Sequence, residues 1–155
     1  MSADADSAAL VPLIIADLFE LAGAFRETGE RIARTVGQTQ ARWQVLSAAS
    51  AERKTVPQIA RRLGVTRQGV QRLADALVAD GSATFEPNPD HRASPHLVLT
   101  ESGRADLRRL TKAAAAYHAA IARRMSGGEL AALRPGLKRL IAASEHAAKH
   151  PSREQ

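Results

Sequence analysis

A mainly α-helical chain, with two short helices and a β-hairpin set between long terminal helices, is required by three features of the amino-acid pattern. Apolar residues recur at helical spacing through both ends of the chain, glycines stop two short helices near its middle, and a proline-rich loop joins two strand-like runs. The 155 residues are 45% hydrophobic, enough for one compact domain or two small lobes sharing a core.

From about Ser7 to Thr35, Leu10, Ile14, Leu18, Leu21, Phe25 and Ile32 recur at steps of three, four and seven. Val11, Ile15 and Phe19 widen the stripe beyond what one neighbouring helix covers. Asp17, Glu20 and Pro12 argue for a buried helix here and against a membrane span, and the acidic start "MSADADSA" lacks the basic region of a signal peptide. The chain reads as soluble and cytoplasmic. Gly37 ends the first helix, and Thr39 caps a second that carries Trp43, Val45, Leu46 and Ala49. Trp43, the single tryptophan, reads as a core anchor.

In "KTVPQIARRLG", Thr55 and Gln58 have capping-box spacing and Ile59, Ala60 and Leu63 form the apolar face. Gly64 supplies a left-handed stop, after which Val65 is expected to drop into the core. Thr66 caps the next helix, whose inward face is Val70, Leu73, Leu77 and Val78 and which Gly81 closes. Gln68, Arg72 and Asp75 fall on the opposite side, Gln71 lies at its border, and the long stem of Arg67 can swing outward.

"SATFE" and "HLVLT" are strand candidates, with Phe85 in the first and Leu97 and Leu99 in the second, joined by "PNPDHRASP". Thr100 then caps a long helix with Glu101 in its first turn. Ser126 and Glu129 form a second capping box ahead of a helix bearing Leu130, Leu133, Leu137, Leu140 and Ile141, in which Pro135 and Gly136 should produce a kink or a break. Residues 151–155 read as a frayed tail.

The basic charge is local. Of the formal +6, residues 51–72 contribute +5, with Arg53, Lys54, Arg61, Arg62, Arg67 and Arg72 against Glu52, whereas the first fifty residues carry four basic and six acidic groups. Two helices joined by a glycine turn, the second bearing an amide and guanidinium face and followed by a hairpin, describe a winged helix-turn-helix. In such a unit the second helix enters the major groove, where glutamine pairs with adenine and arginine with guanine or a phosphate, and Lys54, Arg61 and Arg62 border the groove. Thr66, Arg67, Gln68, Gln71, Arg72, His91 and Arg92 complete the candidate DNA contacts.

"TVPQIARRLGVTRQGVQRLADALVADG" followed by "PNPDHRASPHLVLTESGR" resembles the MarR-type (multiple antibiotic resistance regulator) transcription factors, with "TQARWQVL" similar to that family's second helix. The family's D-x-R and L-T-x-x-G positions are Asp90 and Arg92, then Leu99, Thr100 and Gly103. The resemblance implies a homodimer whose dimerisation lobe comprises 1–36 and 101–150, with 37–100 as the winged DNA-binding region. It implies repression from a pseudo-palindromic site, release by a small aromatic or anionic effector, and Arg92, held by a salt bridge to Asp90, reaching into the minor groove. Phe85 stands where the family often has arginine, and Gln71 where it often has a small hydroxyl residue.

Phe25, Arg26, Trp43, Tyr117 and His118 are the candidates for an effector pocket, a cation beside aromatics being suited to an anion. His146 and His150 stand four apart, but one such pair makes no metal site and none is expected, nor is any cofactor. With no cysteine, thiol chemistry is excluded. No nucleophile, base and orienting group converge in a recognisable motif, so the chain is not read as an enzyme. The alternative to a DNA-binding regulator is a winged-helix module that docks a protein partner through the same surface.

Overall fold

The computed structural model describes residues 3–150, and of residues 3–5 the backbone alone; the expected tail at 151–155 lies outside the described residues. The order of elements is α1 (Ala3–Arg34), α2 (Gln40–Ala51), β1 (Lys54–Thr55), α3 (Val56–Leu63), α4 (Arg67–Ala79), β2 (Ala83–Glu86), β3 (His96–Leu99), α5 (Glu101–Ala122) and α6 (Gly127–Lys149). The chain divides into two compact units, 1–114 and 115–155.

Within the first unit the core is formed where α2, α3 and α4 meet the sheet and the first half of α5. Leu46, Ile59, Leu77, Leu97 and Leu110, one from each of these elements, have no solvent exposure, and Val45 and Val70 fill the space between them. Each such side chain contributes about 1.5–3 kcal/mol relative to an exposed one. Trp43, expected as an anchor, is half-buried and packs against the rim of this cluster together with Leu73 and Val78. Ala74 takes the deep position between Val70 and Leu77 on α4.

The sheet has three strands in the order β1-β3-β2, all antiparallel. The hairpin was expected; β1 was not. Two residues have no periodicity of their own, and Lys54 and Thr55 become a strand only because they pair with Leu97 and His96. Thr55 serves twice, ending β1 and capping α3: its hydroxyl accepts from Gln58 N and its N–H donates to Gln58 Oε1.

One expectation fails. Val65 is 48% exposed and does not enter the core. Gly64, at φ 64°, ends α3 with Gly64 N–H bonded to Arg61 O and Val65 N–H to Ala60 O, a pairing that holds Val65 against the outside of the helix it has just left. It lies at the edge of a hollow lined by Leu63, Val45, Val70 and Leu73. Of the kink or break expected at Pro135, the break does not occur, and α6 runs on through it. Proline forfeits one hydrogen bond to the carbonyl four residues back, here Ala131, and since both residues are exposed water satisfies that carbonyl.

Along α1, Leu10, Val11, Leu13, Ile14, Ile15, Phe19, Leu21 and Phe25 are all exposed, Phe19 at 76%. Its segment Asp6–Arg34 is long and apolar enough to cross a membrane by length and composition alone. In the second unit α6 buries none of its residues, and Leu133 and Ile141 face solvent.

Candidate nucleic-acid interface

The helix-turn-helix is assembled from local signals. After the Gly64 turn, Thr66 adopts extended angles and its hydroxyl accepts from Gly69 N–H at 3.1 Å, capping α4. With Val70, Ala74 and Leu77 turned inward, the helical period leaves Arg67, Gln68, Arg72 and Asp75 exposed. Gln71 is half-buried, and its Nε2 donates to Asp75 Oδ1 at 2.8 Å. That bond holds its amide against the helix, so Gln71 must exchange Asp75 for any base it reads, whereas Gln68 has no such exchange among the hydrogen bonds described.

Ion pairing sorts the cations. Arg61, Arg62, Arg67, Arg72 and Arg92 take part in no ion pair among the described residues. Lys54 differs: its side chain is only 12% exposed and its Nζ lies 2.7 Å from Glu52 Oε2. The Lys54 hydrogen bond, with a weaker pull from Arg62, holds the Glu52 carboxyl below the ordinary glutamate range. Arg53 is bound to Glu86 at 2.6 Å, Arg104 and Arg108 share Glu101, and Arg109 pairs with Asp106. A cation already neutralised gains less from a phosphate than a hydrated one, so within residues 37–100 the charge open to a polyanion lies on the end of α3, the first two turns of α4 and the wing. Further cations outside the ion pairs of the described residues, such as Arg123, Arg134 and Arg139, lie just after α5 and on α6.

The wing is the hairpin β2–β3, in register Ala83 with Leu99 through Glu86 with His96. The expected Asp90–Arg92 salt bridge is not among the ion pairs of the described residues; both side chains are exposed, where a lone pair gains little over water. Asn88 orders the tip instead. It is buried, its Nδ2 donates to Ser94 O at 3.0 Å, and its Oδ1 accepts from Asp90 N–H at 3.1 Å. The signal was present as Asn-Pro-Asp, since asparagine bonds the backbone two residues on in such turns. His91 and Arg92 project exposed from this tip. Where the wing base faces α4, Val56, Pro57, Arg67, Gln71, Phe85 and Pro95 line a shallow hollow.

The wing returns to the body through a junction that explains the L-T-x-x-G run. Thr100 Oγ1 donates to Gly81 O at 2.7 Å and accepts from Gly103 N–H at 3.2 Å, while Thr100 N–H donates to Ser82 O at 3.1 Å. One hydroxyl thus closes α4 and opens α5. Gly103 has to be glycine, because a Cβ there would lie 1.9 Å from the Ser82 carbonyl oxygen.

Of the effector-pocket candidates, Phe25 is 42% exposed on α1, Arg26 is exposed and Trp43 is half-buried on α2. Tyr117 and His118 belong to the second unit, with ring centroids 6.1 Å apart. His146 and His150 bring their rings to 4.8 Å, and no cluster of three metal-ligating side chains occurs among the described residues.

A sequence model of the MarR family matches residues 36–94, from the turn after α1 to the wing tip. Over 130 residues the chain is 52% identical to an uncharacterized protein of Mycobacterium tuberculosis, covering 84% of this chain and 91% of that one. The chain belongs to the MarR family. This MarR-family protein is also 33% identical over 91 residues to the transcriptional activatory protein BadR of Rhodopseudomonas palustris, across 56% of its own length and 52% of BadR. Its fold is that of a MarR family transcription regulator of known structure at TM-score 0.70 and 22% identity, covering 96% and 99% of the two chains. It matches a mutant MarR of E. coli in complex with operator DNA at TM-score 0.61 and 23% identity, over 81% and 94%. It likewise matches the M. tuberculosis MarR family protein in complex with p-aminosalicylic acid at TM-score 0.63 and 20% identity, over 79% and 94%.

Proposed function

We propose that this MarR-family protein is a cytoplasmic, non-enzymatic transcriptional regulator that binds a pseudo-palindromic operator as a homodimer and represses from it until a small aromatic or anionic ligand enters. The observation that carries the reading is the exposed side of α4, where Gln68, Arg67 and Arg72 stand together with no ion pair on either arginine. A neutral amide among unneutralised guanidiniums suits base edges flanked by phosphates. In this reading Thr66, Arg67, Gln68, Gln71 and Arg72 meet the major groove, Arg61, His91 and, more weakly, Lys54 meet the backbone, and Arg92 meets the minor groove.

The homodimer is supported by the uncovered apolar side of α1, which exceeds the patch of roughly a few hundred Å² that soluble monomers expose. A second copy of the same helix is the occupant proposed, with 1–36 and 101–150 as its lobe. A ligand seated near Phe25, Arg26 and Trp43 would then act by altering the spacing of the two recognition helices.

The test is selection of duplexes from a random pool by the purified protein, then affinity for the selected site across a salt series. A palindromic site bound with a steep salt slope is expected, because phosphate contacts release counterions. Enrichment of no sequence would refute the reading and favour a protein-docking winged helix. Sedimentation at low micromolar concentration should give a dimer. The similarity to BadR, a transcriptional activatory protein, favours activation as the second reading, and a reporter driven from the selected site decides the sign.

A further inference from the structure

A line of polar groups, half-buried at Arg42, Gln38 and Asp106 and exposed at Asp80, runs from the end of the recognition helix to α5. Asp80 terminates α4, and its Oδ2 lies 2.7 Å from Arg42 Nη1 on α2. The same guanidinium uses its other edge, Arg42 Nε donating to Gln38 Oε1 at 3.0 Å. Gln38 Nε2 donates in turn to Asp106 Oδ2 on α5 at 3.1 Å. Asp106 also accepts from Ser82 Oγ and Arg109 Nη2. The order carboxylate, guanidinium, amide, carboxylate has one workable polarity. A flipped Gln38 amide would set its NH2 against the guanidinium and its oxygen against Asp106.

Surface decoration would not require this burial. The Arg42 and Asp106 side chains are 20% and 13% exposed, and Asp106 collects donors from three segments of chain. Apolar packing of Val70, Ala74 and Leu77 holds α4 against the core but has little directionality, and Ala74 offers no interlocking side chain. The directional bonds at its far end are those of Asp80 and of the Gly81–Thr100 junction. At 1.5 Å per residue Gln68 lies roughly 18 Å along the axis from Asp80, so a tilt of about 5° about that end moves it by roughly 1.5 Å. A base contact at ordinary hydrogen-bond length does not survive that displacement, whereas a flexible arginine follows its phosphate.

We infer that Arg42, through Asp80 on one side and Gln38 and Asp106 on the other, is a positioning residue that sets the recognition helix against α5 and so governs operator selectivity without touching DNA. The inference rests on the DNA-binding reading above.

Three variants test it: Arg42→Met, Gln38→Glu, and Gln38→Glu combined with Asp106→Asn. Gln38→Glu keeps the acceptor for Arg42 but sets two carboxylates against each other, and Asp106→Asn supplies a donor that restores the line. For Arg42→Met and Gln38→Glu the ratio of operator to random-duplex affinity should fall about tenfold with the salt slope unchanged, and the double variant should recover most of it, as expected of residues in one network. Hydrogen exchange of residues 76–81, measured without DNA, should quicken in Gln38→Glu and return to the parent rate in the double variant. That second readout stands even if the parent selects no operator, a result that would refute the DNA reading alone. Equal loss on both duplexes with a shallower salt slope would make Arg42 a phosphate contact and overturn the inference. So would folded single variants with parent-like selectivity and exchange. Should Arg42→Met fail to fold, the Gln38 pair decides.

Discussion

Replacing Gly103 by alanine adds one methyl group at the place where α5 crosses the end of the recognition helix. The new Cβ would lie 1.9 Å from the Ser82 oxygen and 2.9 Å from the Ser82 carbonyl carbon, with Leu99 Cγ at 3.4 Å on another side. Bringing the oxygen out to 3.0 Å, the lower limit for such contacts, requires a movement of roughly 1 Å. That oxygen is not free to leave, since it accepts Thr100 N–H at 3.1 Å and its residue follows the Gly81 carbonyl held by Thr100 Oγ1. Overpacking of this kind costs about 1–3 kcal/mol, and loss of the Thr100 hydrogen bond adds roughly 0.5–1.5 kcal/mol. Together these correspond to a fall in Tm of roughly 5–15 °C for a chain of this length. Thermal unfolding by circular dichroism, at one fixed protomer concentration because association shifts Tm, reads the change directly. The exposed neighbour Ser102 is the control, and Ser102→Ala should leave Tm within about 1–2 °C. A Gly103→Ala protein that melts with the parent would refute the claim that α5 is seated rigidly on Ser82.

The remaining expectations concern the interface and its charges. Gln68→Ala should cost about 1–3 kcal/mol on the selected operator and much less on random DNA, whereas Arg72→Ala and Arg92→Ala should each lower the salt slope by about one unit; titrations of both duplexes across a salt series check this. Gln71→Ala should lose less than Gln68→Ala, because its amide gives up Asp75 on binding. Lys54→Met should change the salt slope less than Arg61→Met, the ammonium being already neutralised by Glu52. Glu101 is held below the ordinary value of 4.5 first by its hydrogen bond from Arg108 and then by that from Arg104. A depressed folded pKa gives stability that is present above the unfolded value and disappears as pH falls through the folded one. Glu101→Gln should therefore melt slightly below the parent at pH 7 and converge with it below pH 4.5, as melting curves over that range will tell. Mild peroxide followed by thiol reductant should leave the operator complex unaltered in a mobility shift, the chain having no cysteine.

What was legible in the sequence was what depends on near neighbours. The capping boxes Thr55–Gln58 and Ser126–Glu129, the left-handed Gly64 and the Thr66 cap are all formed within three residues, and each occurs where the pattern put it. The hairpin strands were equally readable, since their alternation is set by one buried side. Contacts made across the chain were not. Strand β1 exists only through its partners on β3, and Gln38 meets Asp106 across 68 positions. In the candidate site, the exposure of Gln68 and Arg72 followed from helical period, but the capture of Gln71 by Asp75 and of Lys54 by Glu52 required side-chain geometry. Val65 misled because a hydrophobic residue after a glycine stop can lie against the outside of its helix as well as enter the core. At Pro135 no break occurs because an exposed helix gives up one hydrogen bond at small cost.

The two-residue strand β1 has a mechanical meaning. By pairing Lys54 with Leu97 and Thr55 with His96, it places β3 between β2 and the residues that lead into α3. The base of the wing is therefore tied along both edges of β3, and through β1 to the start of α3. Wing base and helix-turn-helix thus share one sheet, so a movement of α3 is passed to the base of the wing. On the proposed reading, a ligand that loosens the protein from DNA would then carry the wing base and α3 together when it shifts a winged unit.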